Sequence, residues 1–346
     1  MTSLASETEV TPEALAALLA RHGLPPSTPV TRMVSTGIIN TIYAVGNDLV
    51  LRVPRVKYGD YIRKEARVVP QARTAGVRTP ALIAMDDWLD ILRVPYALYE
   101  RVHAATLGLL HREPAEAAHA WHELGRDLGR LHAGIAPIPW SERLGARAET
   151  ERPPRTPQQL VEEEAAPDGW LTPIEARWLL SWFDRLAPLV ERGKDTRVAR
   201  LLHADTQPTN VMVDGDTLEY RALIDWGDAR WGDPADEFVG PPLRAVPYML
   251  DDDETAEARI LWGQLRFMVS VLWRGKALEY GWGERPLPRL IEIARFFLED
   301  HGPRWAALAP PAGRVPTRAP RAADAGHDDA DAAVAEEAET AVQSNS

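Results

Sequence analysis

The sequence predicts an α+β chain of two lobes, β-rich in its first hundred residues and mostly helical after them. Three observations carry this expectation. The chain's 346 residues exceed what a single hydrophobic core usually organises, so two lobes are the default. Between Val30 and Arg101 short apolar, β-branched segments alternate with turn residues. Beyond Val102 the apolar residues recur three and four apart. The expected boundaries are 1–101 for the N-terminal lobe (a helix plus an antiparallel sheet), 102–310 for the C-terminal lobe, and 311–346 for a tail.

Each element has a local reason. Thr11-Pro12-Glu13 starts a helix with a capping hydroxyl and a proline at its first position, and Gly23 ends it. TRMVSTGIINTIYAV and LVLRVPR read as strands, with Gly46-Asn47-Asp48 as the turn between the later two. A helix follows over Tyr58–Ala75, and Pro70 should kink or stop it. ALIAMDD and ILRVPYALYERV read as two more strands, so one helix interrupts the sheet after its third strand. In the second half, Trp121, Leu124, Leu128 and Leu131 mark one helix face. Pro153–Pro157 reads as a loop. Thr172-Pro173-Ile174-Glu175 is a capping box before another helix. VARLLHAD and YRALIDWG read as small strands flanking TNVMVDGDTLE, and helices are expected over Thr255–Tyr280 and Pro288–Glu299.

Composition excludes several function classes. There is no cysteine, which removes disulfide scaffolds, thiolate zinc sites and cysteine nucleophiles, and fits a cytoplasmic location. The formal charge is −12, so a phosphate backbone would be repelled and no nucleic-acid partner is expected. The first residues, MTSLASETEV, lack the pattern of a signal peptide, and no apolar run is long enough to span a bilayer. Residues 311–346 carry three arginines against seven acids and no aromatic residue, and read as a disordered acidic tail.

The chemistry concentrates in His203-Ala204-Asp205-Thr206-Gln207-Pro208-Thr209-Asn210 and in Ile224-Asp225-Trp226-Gly227. Asp205 and Asn210 share a polar loop between two apolar segments, and Asp225 ends the second segment. A hairpin between them would bring Asn210 and Asp225 together. One carboxylate and one amide oxygen make a hard-oxygen pair suited to Mg²⁺, an ion that takes the rest of its shell from water and phosphate. Asp205 is then left to accept a proton from an incoming hydroxyl, which is the set of parts phosphoryl transfer needs.

HADTQPTN…LIDWG resembles the catalytic loop and metal-binding segment of the aminoglycoside phosphotransferase family, which has a protein-kinase-like fold and is similar to choline and fructosamine kinases. The resemblance runs over residues 30–300 in order and spacing, and LRVPR resembles the same stretch in macrolide phosphotransferases. It implies Asp205 as catalytic base, with Asn210 and Asp225 holding the Mg²⁺ of ATP (or GTP). His203 would brace the loop, and Asp233 and Asp236 of GDPADEF would hold the C-terminal lobe together. STGIINTIYAV resembles the phosphate-covering hairpin, which places Ser35, Gly37 and Asn40 near the nucleotide. Arg52 stands where kinases usually carry a lysine, with Glu65 as its ion-pair partner. In ALYERVH, backbone groups near Glu100 and Val102 would bond the adenine.

Two residues depart from the family pattern. Ala204 stands where a glycine is usual and is tolerable only if that position does not need φ > 0. Pro70 follows Glu65 closely and is expected to shift its helix. The implied activity is ATP·Mg²⁺-dependent phosphorylation of a small-molecule hydroxyl, an antibiotic such as an aminoglycoside or macrolide first, with resistance as the outcome. A metabolic alcohol or amino-alcohol kinase and a nucleotide-binding pseudokinase adaptor are the alternatives. The acidic run Asp251–Glu254 and the aromatic stripe from Trp262 to Trp282 each admit a substrate role, but a solvated helix start and core packing explain them more simply. The sequence leaves the oligomeric state open.

Overall fold

The computed structural model describes residues 6–33, 39–142, 156–165, 171–192, 197–250, 256–278, 292–293 and 295–309. The expected acidic tail, the run Asp251–Glu254 and the first turn of the expected helix from Pro288 lie outside these residues. Among the described residues no helix is long and apolar enough to cross a membrane.

Helix α1 (Pro12–Arg21) begins as the sequence dictates, with the Thr11 hydroxyl accepting from the Ala14 amide. Gly23, just past its end, sits at φ +66°, the left-handed conformation that favours glycine. Strands β1 (Val30–Arg32), β2 (Asn40–Val45), β3 (Leu49–Pro54), β4 (Leu82–Asp86) and β5 (Tyr96–Glu100) form one antiparallel sheet in the order β1-β2-β3-β5-β4. The strand expected from Ile91 begins only at Tyr96, after Pro95, which has no amide hydrogen for a ladder.

The two-residue period of the strands sorts the sheet's faces. Leu51, Val53, Tyr96 and Leu98 join Leu18 and Leu19 of α1 in one core. Ala97 and Tyr99 point the other way, to α2 (Gly59–Thr74) and its Ile62, Val69 and Ala72. Arg52 pairs with Ala97 across the ladder and therefore faces α2 as well.

Helix α2 does not stop at Pro70. It continues to Thr74 with the proline on its exposed side. An internal proline costs about 3 kcal/mol. Burial of Val68 and Val69 before it and Ala72 after it offsets that cost, since one fully buried valine contributes roughly 1.5–3 kcal/mol.

Beyond β6 (Ala105–Thr106) and the short α3 (Leu107–Leu110), α4 (Ala118–Gly134) buries Trp121, Leu124, Leu128 and Leu131 as their spacing predicts. The expected proline-rich loop gives way at Thr156, which caps α5 (Pro157–Glu164) through a reciprocal capping box with Gln159. Thr172 caps α6 (Pro173–Glu191) in the same manner with Glu175. Strand β8 (Val198–Leu202) lies between β7 (Ile138–Pro139) and β11 (Arg230–Gly232). The hairpin of β9 (Val211–Val213) and β10 (Tyr220–Leu223) forms a separate sheet with β6. After α7 (Val246–Met249), α8 (Ala256–Leu278) packs with α5 and α6. Its Met268 is buried and its Trp262 meets Phe183 edge-on at 5.0 Å, so these members of the aromatic stripe are core. Trp273, Tyr280 and Trp282 lie outside the described side chains.

Candidate active site

The hairpin brings the two halves of the polar constellation together. Asn210 directly precedes β9 and Asp225 follows β10 by one residue, and the Ile224 amide donates to the Asn210 carbonyl at 3.0 Å. On the loop, the Asn210 side-chain amide donates to the Asp205 carboxylate at 2.8 Å and to the Asp205 carbonyl at 2.8 Å. The other Asp205 oxygen accepts from Gln207. Since its nitrogen is committed to Asp205, Asn210 has its amide oxygen left to meet a ligand.

His203 is buried and bridges the loop to the hairpin. Its Nε2 lies 2.9 Å from the Ile224 carbonyl, and its Nδ1 accepts from the Asp205 amide at 3.2 Å. Those two partners require the neutral tautomer with hydrogen on Nε2. Trp226 packs edge-on against the imidazole at 4.6 Å and donates its indole N–H to Thr79 at 2.9 Å. Both residues are braces, as expected of His203.

The sequence reading missed Glu237. This fully buried carboxylate accepts from the His203 amide at 2.7 Å and the Ala204 amide at 2.8 Å. Burial alone would raise its pKa, but His132, whose Nε2 lies 3.5 Å away, and the Ala204 amide hold it below the usual carboxylate range. Ala204 sits at φ +65°, so the position does need the left-handed backbone, contrary to the condition set for an alanine there. That conformation costs a non-glycine residue about 1–2 kcal/mol. The paired amide bonds to Glu237 hold it in place. Glu237 is thus the residue of GDPADEF that grips the loop. Asp233 ties α8 and the β8 region together, pairing with Arg259 at 3.0 Å and Arg197 at 3.3 Å. Asp236 makes a longer, half-exposed pair with Arg230 at 3.4 Å. A 3₁₀ turn over Pro234–Phe238 decides which of the three acids points inward, and no spacing rule announces it.

On the sheet side, Arg52 donates to Glu65 at 2.7 Å, as its position predicts, and also to Asp225 at 2.8 Å. Tyr99 donates to the same Glu65 oxygen at 3.0 Å. Burial pushes Glu65 up to about 7 against the pull of the Arg52 charge. Burial would also raise Asp225, but the Arg52 guanidinium outweighs it and leaves that carboxyl below its ordinary value. The Asp225 side chain is 41% exposed, so an incoming ligand can reach it. Its own φ is +70°, an uncommon conformation for aspartate and one that clusters at functional sites. Gly227 lets this turn lie against α2: a Cβ there would sit 2.6 Å from the Tyr61 ring and 3.4 Å from Glu65.

The remaining expected residues divide. Ser35 and Gly37 lie outside the described residues. Asn40 is buried at the start of β2, and its side-chain oxygen has no hydrogen-bond partner among the described residues. The Glu100 amide is taken by the Ala81 carbonyl at 2.9 Å. The Val102 amide meets no acceptor among the described residues, while its carbonyl accepts from Ala104 at 3.1 Å. A hinge contact with adenine would then use the Val102 amide as donor.

Whether these residues suit magnesium can be judged from the donors. No group of three His, Asp or Glu side chains among the described residues gathers closely enough to hold a metal unaided. Asn210 and Asp225 offer two hard oxygens, which fits an ion that takes its other ligands from phosphate and water. Asp228, raised by its burial and then by Asp205 and Asp225, makes the surroundings negative, and a cation would relieve that.

Known proteins give independent bearings. A family model described as "Phosphotransferase enzyme family" matches residues 30–259. Among solved structures, the GDP complex of wild-type aminoglycoside 2'-phosphotransferase-IIIa is 18% identical, with 81% of this chain and 97% of that chain covered at a TM-score of 0.59. Macrolide 2'-phosphotransferase type I is 18% identical, with 81% and 97% covered at 0.53. The gentamicin complex of APH(2'')-IIa is 12% identical, with 82% and 96% covered at 0.52. At such identities the likeness concerns the fold, a kinase-like α+β arrangement with a β-rich N-terminal region and a helical C-terminal one. No curated protein matches the chain.

Proposed function

We infer a specific reaction from a plain premise: this chain belongs to the phosphotransferase enzyme family and is a small-molecule kinase. The reaction is transfer of the γ-phosphoryl group of ATP (or GTP) to a hydroxyl of a small molecule. An antibiotic is the first acceptor class to test, because the structural neighbours are aminoglycoside and macrolide phosphotransferases. The observation that carries the reading is the convergence of Asp205 and Asn210 on one 2.8 Å hydrogen bond, with the Asp225 segment joined to Asn210 through Ile224 at 3.0 Å.

In this reading Asp205 accepts the proton of the attacking hydroxyl. Its carboxylate is oriented by Asn210 and Gln207, so little reorganisation is needed at the moment of reaction. The Asn210 amide oxygen and the Asp225 carboxylate would hold magnesium, which neutralises charge on the β- and γ-phosphates when bound. Arg52, steadied by Glu65, offers a guanidinium to phosphate oxygens. The backbone near Glu100 and Val102 would receive the base, and Asn40 would lie near the nucleotide.

A coupled nucleotide-consumption screen across antibiotic classes and small alcohols tests the proposal. Turnover is expected with at least one hydroxyl acceptor and should fall by about 10²–10⁴-fold in Asp205→Asn. An Asp205→Asn protein that keeps normal turnover would remove the base assignment. Expression in a susceptible host then separates an antibiotic acceptor, which confers resistance, from a metabolic one, which does not.

A further inference from the structure

A cleft of about 480 Å³ opens where the segment after α3, the turn after Gly240, Glu292 and Arg295 meet. Its size is that of a small-molecule site. Two of its walls are fastened to the loop that carries Asp205. A Cβ on Gly108, four residues before Arg112, would lie 3.1 Å from the Thr209 backbone nitrogen. A Cβ on Gly240, two residues before Pro242, would lie 3.0 Å from the Gln207 backbone nitrogen. The chain thus runs from the catalytic loop into the cleft on two sides, through glycines that permit contact between backbones.

Three arginines, Arg112, Arg244 and Arg295, line the cleft with Glu113 and Glu292. Their countercharges are unevenly spent. Arg244 pairs with Glu299 and faces Glu113 at 3.7 Å. Glu292 has an interaction of its own. Among the described residues Arg112 has only an exposed i,i+4 contact with Glu116 at 3.7 Å, the kind of pair that contributes little. Arg295 makes no side-chain hydrogen bond or ion pair among the described residues. The buried Nε of Arg244 also has no hydrogen-bond partner there. Guanidinium groups recognise carboxylate and phosphate oxygens in pairs, through planar, directed N–H groups.

We infer that this cleft binds an anionic group of the acceptor, a carboxylate or a phosphate, through Arg112 and Arg295, with Arg244 behind them. The inference rests on the phosphotransfer reading and narrows it: the acceptor is an acidic or zwitterionic hydroxyl compound rather than a polycation such as an aminoglycoside.

Citrate titrated by calorimetry onto the full chain, first nucleotide-free and then saturated with ADP and Mg²⁺, tests the cleft apart from turnover. Binding is expected in both states and should weaken at least tenfold in Arg295→Glu and in Arg112→Glu. It should be unchanged in Arg221→Glu, an equal charge change on the β9–β10 hairpin. Citrate that fails to bind, or that weakens equally in all three variants, overturns the inference. A turnover arm compares hydroxy-acid acceptors with their neutral amides. The acids should show a KM at least tenfold lower in the native protein, and the advantage should disappear in Arg295→Glu with kcat retained. A preference for amides or amines overturns the inference as well. If ADP does not bind at all, the phosphotransfer reading fails, while the nucleotide-free titration still decides the cleft.

Discussion

Glu65 and Glu237 are both buried beside the proposed reaction centre, and they are held in opposite ways. Glu237 faces backbone amides of the catalytic loop at 2.7 and 2.8 Å, dipoles that belong to the fold and cannot leave. Its charge is favoured, and its pKa falls below the ordinary range because His132 and the loop together outweigh burial. Glu65 faces a guanidinium that is shared with Asp225, and burial leaves it at about 7. The contrast separates two tasks. One carboxylate fixes the shape of the loop that bears Asp205, the proposed base. The other sets the charge around the residues that would receive phosphate and metal. Damage to the first should register in stability, and damage to the second in nucleotide handling.

The largest expected effect lies on the charge side. Asp225→Ala should abolish phosphoryl transfer while circular dichroism and the unfolding midpoint stay near native, because Arg52 keeps Glu65 as a partner. Normal turnover in that variant would refute the metal assignment. Asp205→Asn should lower kcat by about 10²–10⁴-fold, the usual worth of a general base.

Glu237→Gln tests the frame. An amide nitrogen would then face one of the two loop amides, donor against donor, at a cost of about 1–3 kcal/mol. Chemical denaturation should show that loss, and a variant as stable as the native protein would contradict the proposed grip. The same residue fixes a pH dependence. A depressed carboxylate contributes stability that is full above its unfolded pKa of about 4.3 and lost as pH falls through its folded one. Native stability should therefore decline on acidification from pH 5, and Glu237→Gln should remove part of that slope. Equal slopes in the two proteins would count against it.

Smaller effects sharpen the comparison. Arg52→Lys replaces a fork that reaches two carboxylates with a single ammonium, and should weaken nucleotide binding about tenfold with little loss of stability. Calorimetry with ADP reads it. Ala204→Gly should stabilise the protein by up to about 1 kcal/mol, since the native φ of +65° suits glycine. No gain in the unfolding midpoint would mean that the alanine is unstrained there.

Where the chemistry is local, the sequence was legible. The strands over 40–54, the capped helices at Thr11 and Thr172 and the spacing of Asp205, Asn210 and Asp225 all follow from neighbouring residues. The Thr156-Pro157 cap carries the same signal as Thr172-Pro173, yet prolines at 153, 154 and 157 obscured it. Non-local facts were not legible. That β8 pairs with β7 and β11 rather than with the β9–β10 hairpin depends on partners chosen in three dimensions. Glu65 was found because the kinase resemblance puts Arg52 at the lysine position and its partner in the helix thirteen residues on. The Arg52–Asp225 contact spans 173 positions and no pattern announces it.

The bare Cα of Gly227 has a mechanical consequence. With Tyr61 and Glu65 resting against it, the turn that bears Asp225 is seated on α2 as a hub on its axle. Any swing of that helix away from the seat breaks the contact and drags on the Arg52 bridge as well. Displacing α2 from this seat would disturb the Asp225 turn and the Arg52 bridge together, and a methyl group at this one point would force such a displacement.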